Sequence, residues 1–207
     1  MVLAVAFLAG ASLMALEIVG GRIVAARFGS HVFVWGGLIG IFMGALSVGY
    51  FLGGRLSDRF PSFQAMGGVL LVAGAGVLAV SLVCDPLCEW MGNRFFAHNA
   101  RLANRWNPTL AILLIFSGPA LCLGSVAPFT VRLLAKELGT MGRVTGRVYA
   151  LNALGSIFGT LVTAFFLMGV MGNRSILLSL GVLVLLLAVV VMGGGRFLRQ
   201  GGLEHFR

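Results

Sequence analysis

Gly49-Tyr50-Phe51-Leu52-Gly53-Gly54-Arg55-Leu56-Ser57-Asp58-Arg59 decides the class of this chain. An apolar, glycine-laden run that also holds Gly36, Gly40 and Gly44 passes here into a cluster of charges, and Pro61 follows. Small residues let helix backbones approach closely in lipid. Arginine and aspartate are costly inside a bilayer, so this cluster belongs at or beyond its surface. The stretch therefore reads as a membrane helix that ends in a charged turn toward the next helix. Gly36, Gly40 and Gly44 are expected to pack helices together. Arg55, Asp58 and Arg59 are expected to form the hinge, with Asp58 pairing with Arg55 or capping the following helix. A gating role for this turn is the sharper alternative.

The rest of the chain has the same character. Hydrophobic residues make up 59% of the 207 and charged residues 10%, where a soluble domain carries about a quarter charged. Mean hydropathy is +1.03. Six apolar segments stand out, at 2–21, 32–54, 64–84, 108–128, 147–170 and 174–193, each near the roughly 20 residues that span a bilayer. The expected fold is all-α: a polytopic six-helix membrane domain over 1–195, then a short basic tail over 196–207. The N-terminal run lacks the basic region of a signal peptide, so it is expected to remain as the first membrane helix. Pro119 and Pro128 should kink or end the fourth helix. Residues 22–31, with Arg22, Arg27 and His31, read as a short interfacial helix. Residues 85–107 read as the longest connection. Its arginines and Trp90, Phe95, Phe96 and Trp106 are the mixture a membrane interface collects. Nothing else supports nucleic-acid binding.

The basic residues orient the chain. Nine of them (Arg55, Arg59, Arg132, Lys136, Arg143, Arg147, Arg196, Arg199, Arg207) fall on one side of a six-span topology and six (Arg22, Arg27, Arg94, Arg101, Arg105, Arg174) on the other. The excess places both termini in the cytoplasm of a bacterial inner-membrane protein, by the positive-inside rule. Cys84 and Cys88 are four residues apart and could pair only if the helix breaks at Pro86. Without histidine at ligand spacing they read, with Cys122, as small apolar residues. No metal and no cofactor is expected.

Glu17 is the acid that falls within an apolar segment, about one turn from the expected end of the first helix. A carboxylate there is expected to be an interfacial residue that snorkels or pairs with an arginine of another helix; the sharper reading is a proton site, a cation site or half of a buried pair. Asn152, Ser156 and Thr160 share one face of the fifth helix beside Gly155 and Gly159. That face would hydrogen-bond across helices, or line a polar pathway. Glycines at four-residue spacing in the second and fifth helices (Gly36, Gly40, Gly44; Gly155, Gly159) hint at a 3+3 repeat, common in transporters. There is no Ser/His/Asp set, no paired carboxylates and no nucleotide loop, since Gly193-Gly194-Gly195 follows an apolar helix.

A run of short matches resembles the membrane domain of spermidine synthase-like proteins, in which a major-facilitator-like membrane part is fused to a synthase. They are Glu17, Gly21-Arg22, Phe28-Gly29-Ser30, Val34-Trp35, Gly49-Tyr50, Gly53 to Arg59, Gly118-Pro119, Gly124, Pro128-Phe129, Arg132-Leu133, Gly142-Arg143, Gly146-Arg147, Tyr149 to Asn152, Leu154 to Ser156 and Gly159-Thr160. The resemblance implies a six-helix module that elsewhere precedes a cytoplasmic aminopropyltransferase-like domain. Nothing in this chain matches that domain, so no catalytic residue carries over. The implied function is an anchor or accessory subunit for a protein partner. The alternative is a homodimeric transporter of polyamines or similar cations.

Overall fold

The computed structural model describes residues 1–94, 99–135 and 140–201, without the side chains of 92–94, 100, 101, 103 and 195–201. Its helices are α1 (Val2–Phe28), α2 (Val32–Arg59), α3 (Phe63–Arg94), α4 (Ala100–Leu134), α5 and α6 (Asn173–Gly201). Helix α5 runs from Met141 to Val162, then through a π-helical turn, Thr163–Leu167, to Met168–Val170. Each of the six holds a stretch long and apolar enough to cross a membrane. The chain is an integral, lipid-contacting, all-α membrane protein, and the described residues contain no strand.

The helices overrun the apolar segments, and this changes several expectations. Helix α1 continues through Arg22 and Arg27, so there is no separate interfacial helix. It stops at Gly29, whose φ of 88° suits a residue without a Cβ. Helix α2 continues through Arg59, so Arg55–Arg59 is its last turn rather than a hinge. The true connection is Phe60-Pro61-Ser62, because Pro61 disfavours helix at the residue before it. Ser62 Oγ accepts the Ala65 N–H at 3.1 Å, so Ser62, not Asp58, caps α3.

The expected 85–107 connection is largely absorbed by α3 and α4, and Phe95, Phe96 and His98 lie outside the described residues. Helix α3 passes unbroken through Pro86, keeping Cys84 and Cys88 one turn apart as buried free thiols. Helix α4 passes through Pro108, Pro119 and Pro128 without ending. In lipid no water competes for its backbone, so stopping there would expose more polar groups than one proline removes. Helix α6 likewise runs on to Gly201, through the glycine triplet and into the expected tail.

Close approaches at glycine fix the packing. A Cβ on Gly37 would meet Thr109, one on Gly49 would meet Leu121, and one on Gly53 would meet Ser125. The constant offset makes α2 and α4 a parallel pair. Gly155 abuts Phe7 and Gly159 abuts Ala11, so α1 and α5 are a second parallel pair. Gly74 against Leu185 and Gly181 against Leu78 make α3 and α6 antiparallel. These are the principal helix packings, joined by α1 with α4, α3 with α4, and α1 with α6. Phe116 of α4 occupies the centre, against Gly20 of α1 and 6.0 Å from the Phe42 ring of α2.

Exchanging α1 with α4, α2 with α5, and α3 with α6 maps this set of packings onto itself. Burial follows the same exchange. Within the most apolar 18-residue stretch of each helix, 61% is buried for both α1 and α4, 44% for both α3 and α6, and 28% and 17% for α2 and α5. Since α1 and α4 run in opposite directions, the two three-helix halves are inverted relative to each other.

Candidate functional site

The expected packing glycines of α2 are on the wrong face. Gly36, Gly40 and Gly44 have nothing within 4 Å of a built Cβ, whereas Gly49 and Gly53 lie against the α4 backbone. Both sets have four-residue spacing, and only the fold distinguishes them. The equivalence between α2 and α5 is therefore Gly49-Tyr50-Phe51-Leu52-Gly53 with Gly155-Ser156-Ile157-Phe158-Gly159. In each parallel pair the partner helix adds a third close glycine: Gly124 against Leu46 in one, Gly10 against Asn152 in the other.

Helices α2 and α5 both contact α1. They meet toward the end of the bundle that holds Met1, where the Tyr50 and Tyr149 rings are 6.0 Å apart and edge-on. The chain's last described helix ends there too, since a Cβ on Gly194 would touch the Met1 thioether. Glu17 is half-buried on α1. It shares a helix face with Gly10, which touches α5, and with Gly21, which touches Trp35 and Leu38 of α2. Because α1 extends to Phe28, Glu17 is not near a helix end. It is 15 residues past Val2 and 11 before Phe28, some ~16–22 Å from either end at 1.5 Å per residue. Arg22, about 7.5 Å further along α1 at 1.5 Å per residue, is level with the far end of α5. Among the described residues the Glu17 side chain has no ion pair or hydrogen bond. Arg22 does not serve it: its guanidinium donates to the Met168 carbonyl at 3.2 Å, satisfying the far end of α5.

The α1/α5 register sets the π-helical turn of α5 beside Glu17. Such single turns insert one extra residue and often mark functional positions. The polar stripe lies lower on α5. Thr160 Oγ1 donates to Ser156 O at 2.9 Å, and Ser156 Oγ donates to Asn152 O at 3.0 Å and to Gly10 O at 3.4 Å. Ser156 alone of the three bonds across to α1; Thr160 is satisfied within its own helix, and the Asn152 side chain rests against Gly10. The stripe therefore works mainly as packing.

The charged end of α2 is wired differently from the expectation. Asp58 pairs with Arg132 of α4 at 3.3 Å, tying together the ends of the α2/α4 pair, and not with Arg55. Helical spacing suggested Arg55, while Arg132 is reached only through the parallel register. Arg55 instead lies 4.1 Å above the Phe51 ring. Arg143 and Arg147 emerge on α5 at the same end, and Lys136 lies outside the described residues. No group of three or more His, Cys, Asp or Glu able to hold a metal occurs among the described residues.

Comparison with protein-family models, with curated proteins and with solved structures finds no match to this chain.

Proposed function

We propose that this protein is a membrane module of spermidine synthase-like type, serving as anchor or accessory subunit for a partner that also spans the membrane. The outward glycine stripe of α2 carries this reading. Among the described residues nothing packs within 4 Å of where a Cβ would stand on Gly36, Gly40 or Gly44, yet surfaces of this kind are what membrane helices use to dock closely. A photo-crosslinking residue at Gly40, expressed in the native bacterial membrane, should capture one stoichiometric membrane partner. The same probe at Leu186, exposed on α6, should not. Lipid adducts alone at both positions would refute the reading. The inner-membrane location and cytoplasmic termini belong to the same proposal, supported by the excess of basic residues that a six-span topology of the sequence puts on the side of the N-terminus.

A second reading rests on Glu17: two copies associate through the faces that carry it and move a polyamine or similar cation. A carboxylate well inside a membrane helix, without a partner among the described residues, is the feature a cation or proton pathway requires. Vesicles holding the purified chain should then exchange labelled putrescine or spermidine, and Glu17→Gln should abolish that exchange while the fold persists. A monodisperse monomer without exchange removes this reading and leaves the first intact.

A further inference from the structure

At the end of the bundle away from Met1, the ends of α1 and α3 and the start of α6 enclose a cavity of about 110 Å³. Cys84 and Leu177 contribute to its apolar lining, and Arg27, Asp85, Asn173 and Arg174 contribute its polar side. It has room for several water-sized groups, and its mouth is open to the surface.

The polar lining is unfinished. Arg174 and Asp85 form no ion pair among the described residues, and Arg27 has only a loose one, 3.8 Å from Glu89 one turn beyond Asp85. Asn173 Oδ1 is buried without a donor. Two guanidiniums facing one opening suit the paired oxygens of a phosphate, which arginine grips in bidentate fashion. A carboxylate and an unsatisfied amide oxygen beside them would repel a simple anion. They suit an ammonium, with N–H donors to give. The position at the membrane surface, with Trp90 exposed on α3 nearby, is where headgroups lie.

We propose that this cavity binds a phosphoethanolamine group, its phosphate between Arg27 and Arg174 and its ammonium on Asp85 and Asn173 Oδ1. This site does not include Glu17 and does not depend on the function proposed above. A choline group offers no N–H to Asn173, and a glycerol group carries no charge to meet Asp85, so both should bind more weakly.

The purified full chain in detergent, titrated with short-chain phosphatidylethanolamine, phosphatidylglycerol or phosphatidylcholine and read by native mass spectrometry, tests this. The ethanolamine lipid should bind at least about tenfold more tightly than either of the others, a difference of about 1.4 kcal/mol. Arg174→Gln should weaken all three lipids, and Asp85→Asn should remove the preference while leaving phosphate binding in place. Soluble phosphoethanolamine that competes at similar concentration identifies the headgroup alone as the ligand. Failure to compete identifies the membrane lipid. Equal binding of the three lipids, or a preference unchanged in Asp85→Asn, overturns the proposal. Should Arg174→Gln not fold, Asn173→Ala, which removes the orphaned acceptor together with the rest of its amide, reads the same preference.

Discussion

Replacing Gly159 by alanine puts the packing directly to the test. The new Cβ would stand 2.6 Å from Ala11 Cα, where carbon atoms normally rest 3.5–4.0 Å apart. Helices α1 and α5 must therefore separate by ~1 Å at this level. The obstructing atoms are backbone, so no side-chain rotation relieves the clash. Overpacking of this kind costs about 1–3 kcal/mol. Gly155→Ala meets the same barrier, since its Cβ would lie 2.7 Å from the Phe7 carbonyl carbon. At Gly36, Gly40 and Gly44 the opposite sign is expected. Nothing lies within 4 Å there, and alanine improves a helix interior by roughly 0.5–1 kcal/mol over glycine. Thermal unfolding in detergent, followed by fluorescence-detected size exclusion, reads the contrast at about 2–4 °C per kcal/mol. Gly159→Ala should lower Tm by about 2–12 °C, and the triple alanine variant of the α2 stripe should hold or raise it. If the triple variant loses as much as Gly159→Ala, the assignment of faces on α2 is wrong. If Gly159→Ala is neutral, the α1/α5 register is wrong.

Further outcomes follow from single contacts. Arg22→Gln removes the hydrogen bond to Met168 O and should destabilise by about 1 kcal/mol, seen as a modest Tm drop in the same assay. A double-mutant cycle on Asp58 and Arg132, whose side chains are 75% and 44% exposed, should give a coupling below about 1 kcal/mol that shrinks as salt rises. A coupling several times larger would show the pair shielded from solvent. The buried Cys88 thiol should react with a maleimide far more slowly than a cysteine placed at Ser30 in the α1–α2 connection; comparable rates would mean that α3 opens around Pro86.

Much of the fold was legible in composition, because lipid imposes strong rules on a chain. Every backbone group must be satisfied internally, so six long apolar runs could only be six helices. Helix ends were less legible. Apolar segments stop where charges begin, but helices stop where backbone geometry requires it, at Gly29 and before Pro61. For that reason α1 absorbs Arg22 and Arg27, and the charged cluster of α2 is helical. The same overrun leaves Glu17 well inside its helix rather than near an end.

Sequence spacing alone determined which residues share a helix face, and it did so correctly for Gly155 with Gly159 and for the Asn152, Ser156 and Thr160 stripe. It did not determine which face meets a neighbour, since a four-residue repeat of glycine is the same pattern at 36–44 and at 49–53. The tertiary structure made that choice through the offset between parallel helices. It set Gly49 and Gly53 against α4, turned the other glycines outward and gave Asp58 to Arg132. It also gathered Arg27, Asp85, Asn173 and Arg174 from three helices around one cavity. Contacts between residues distant in the chain depend on how whole helices interlock, and no local stretch of sequence carries that information.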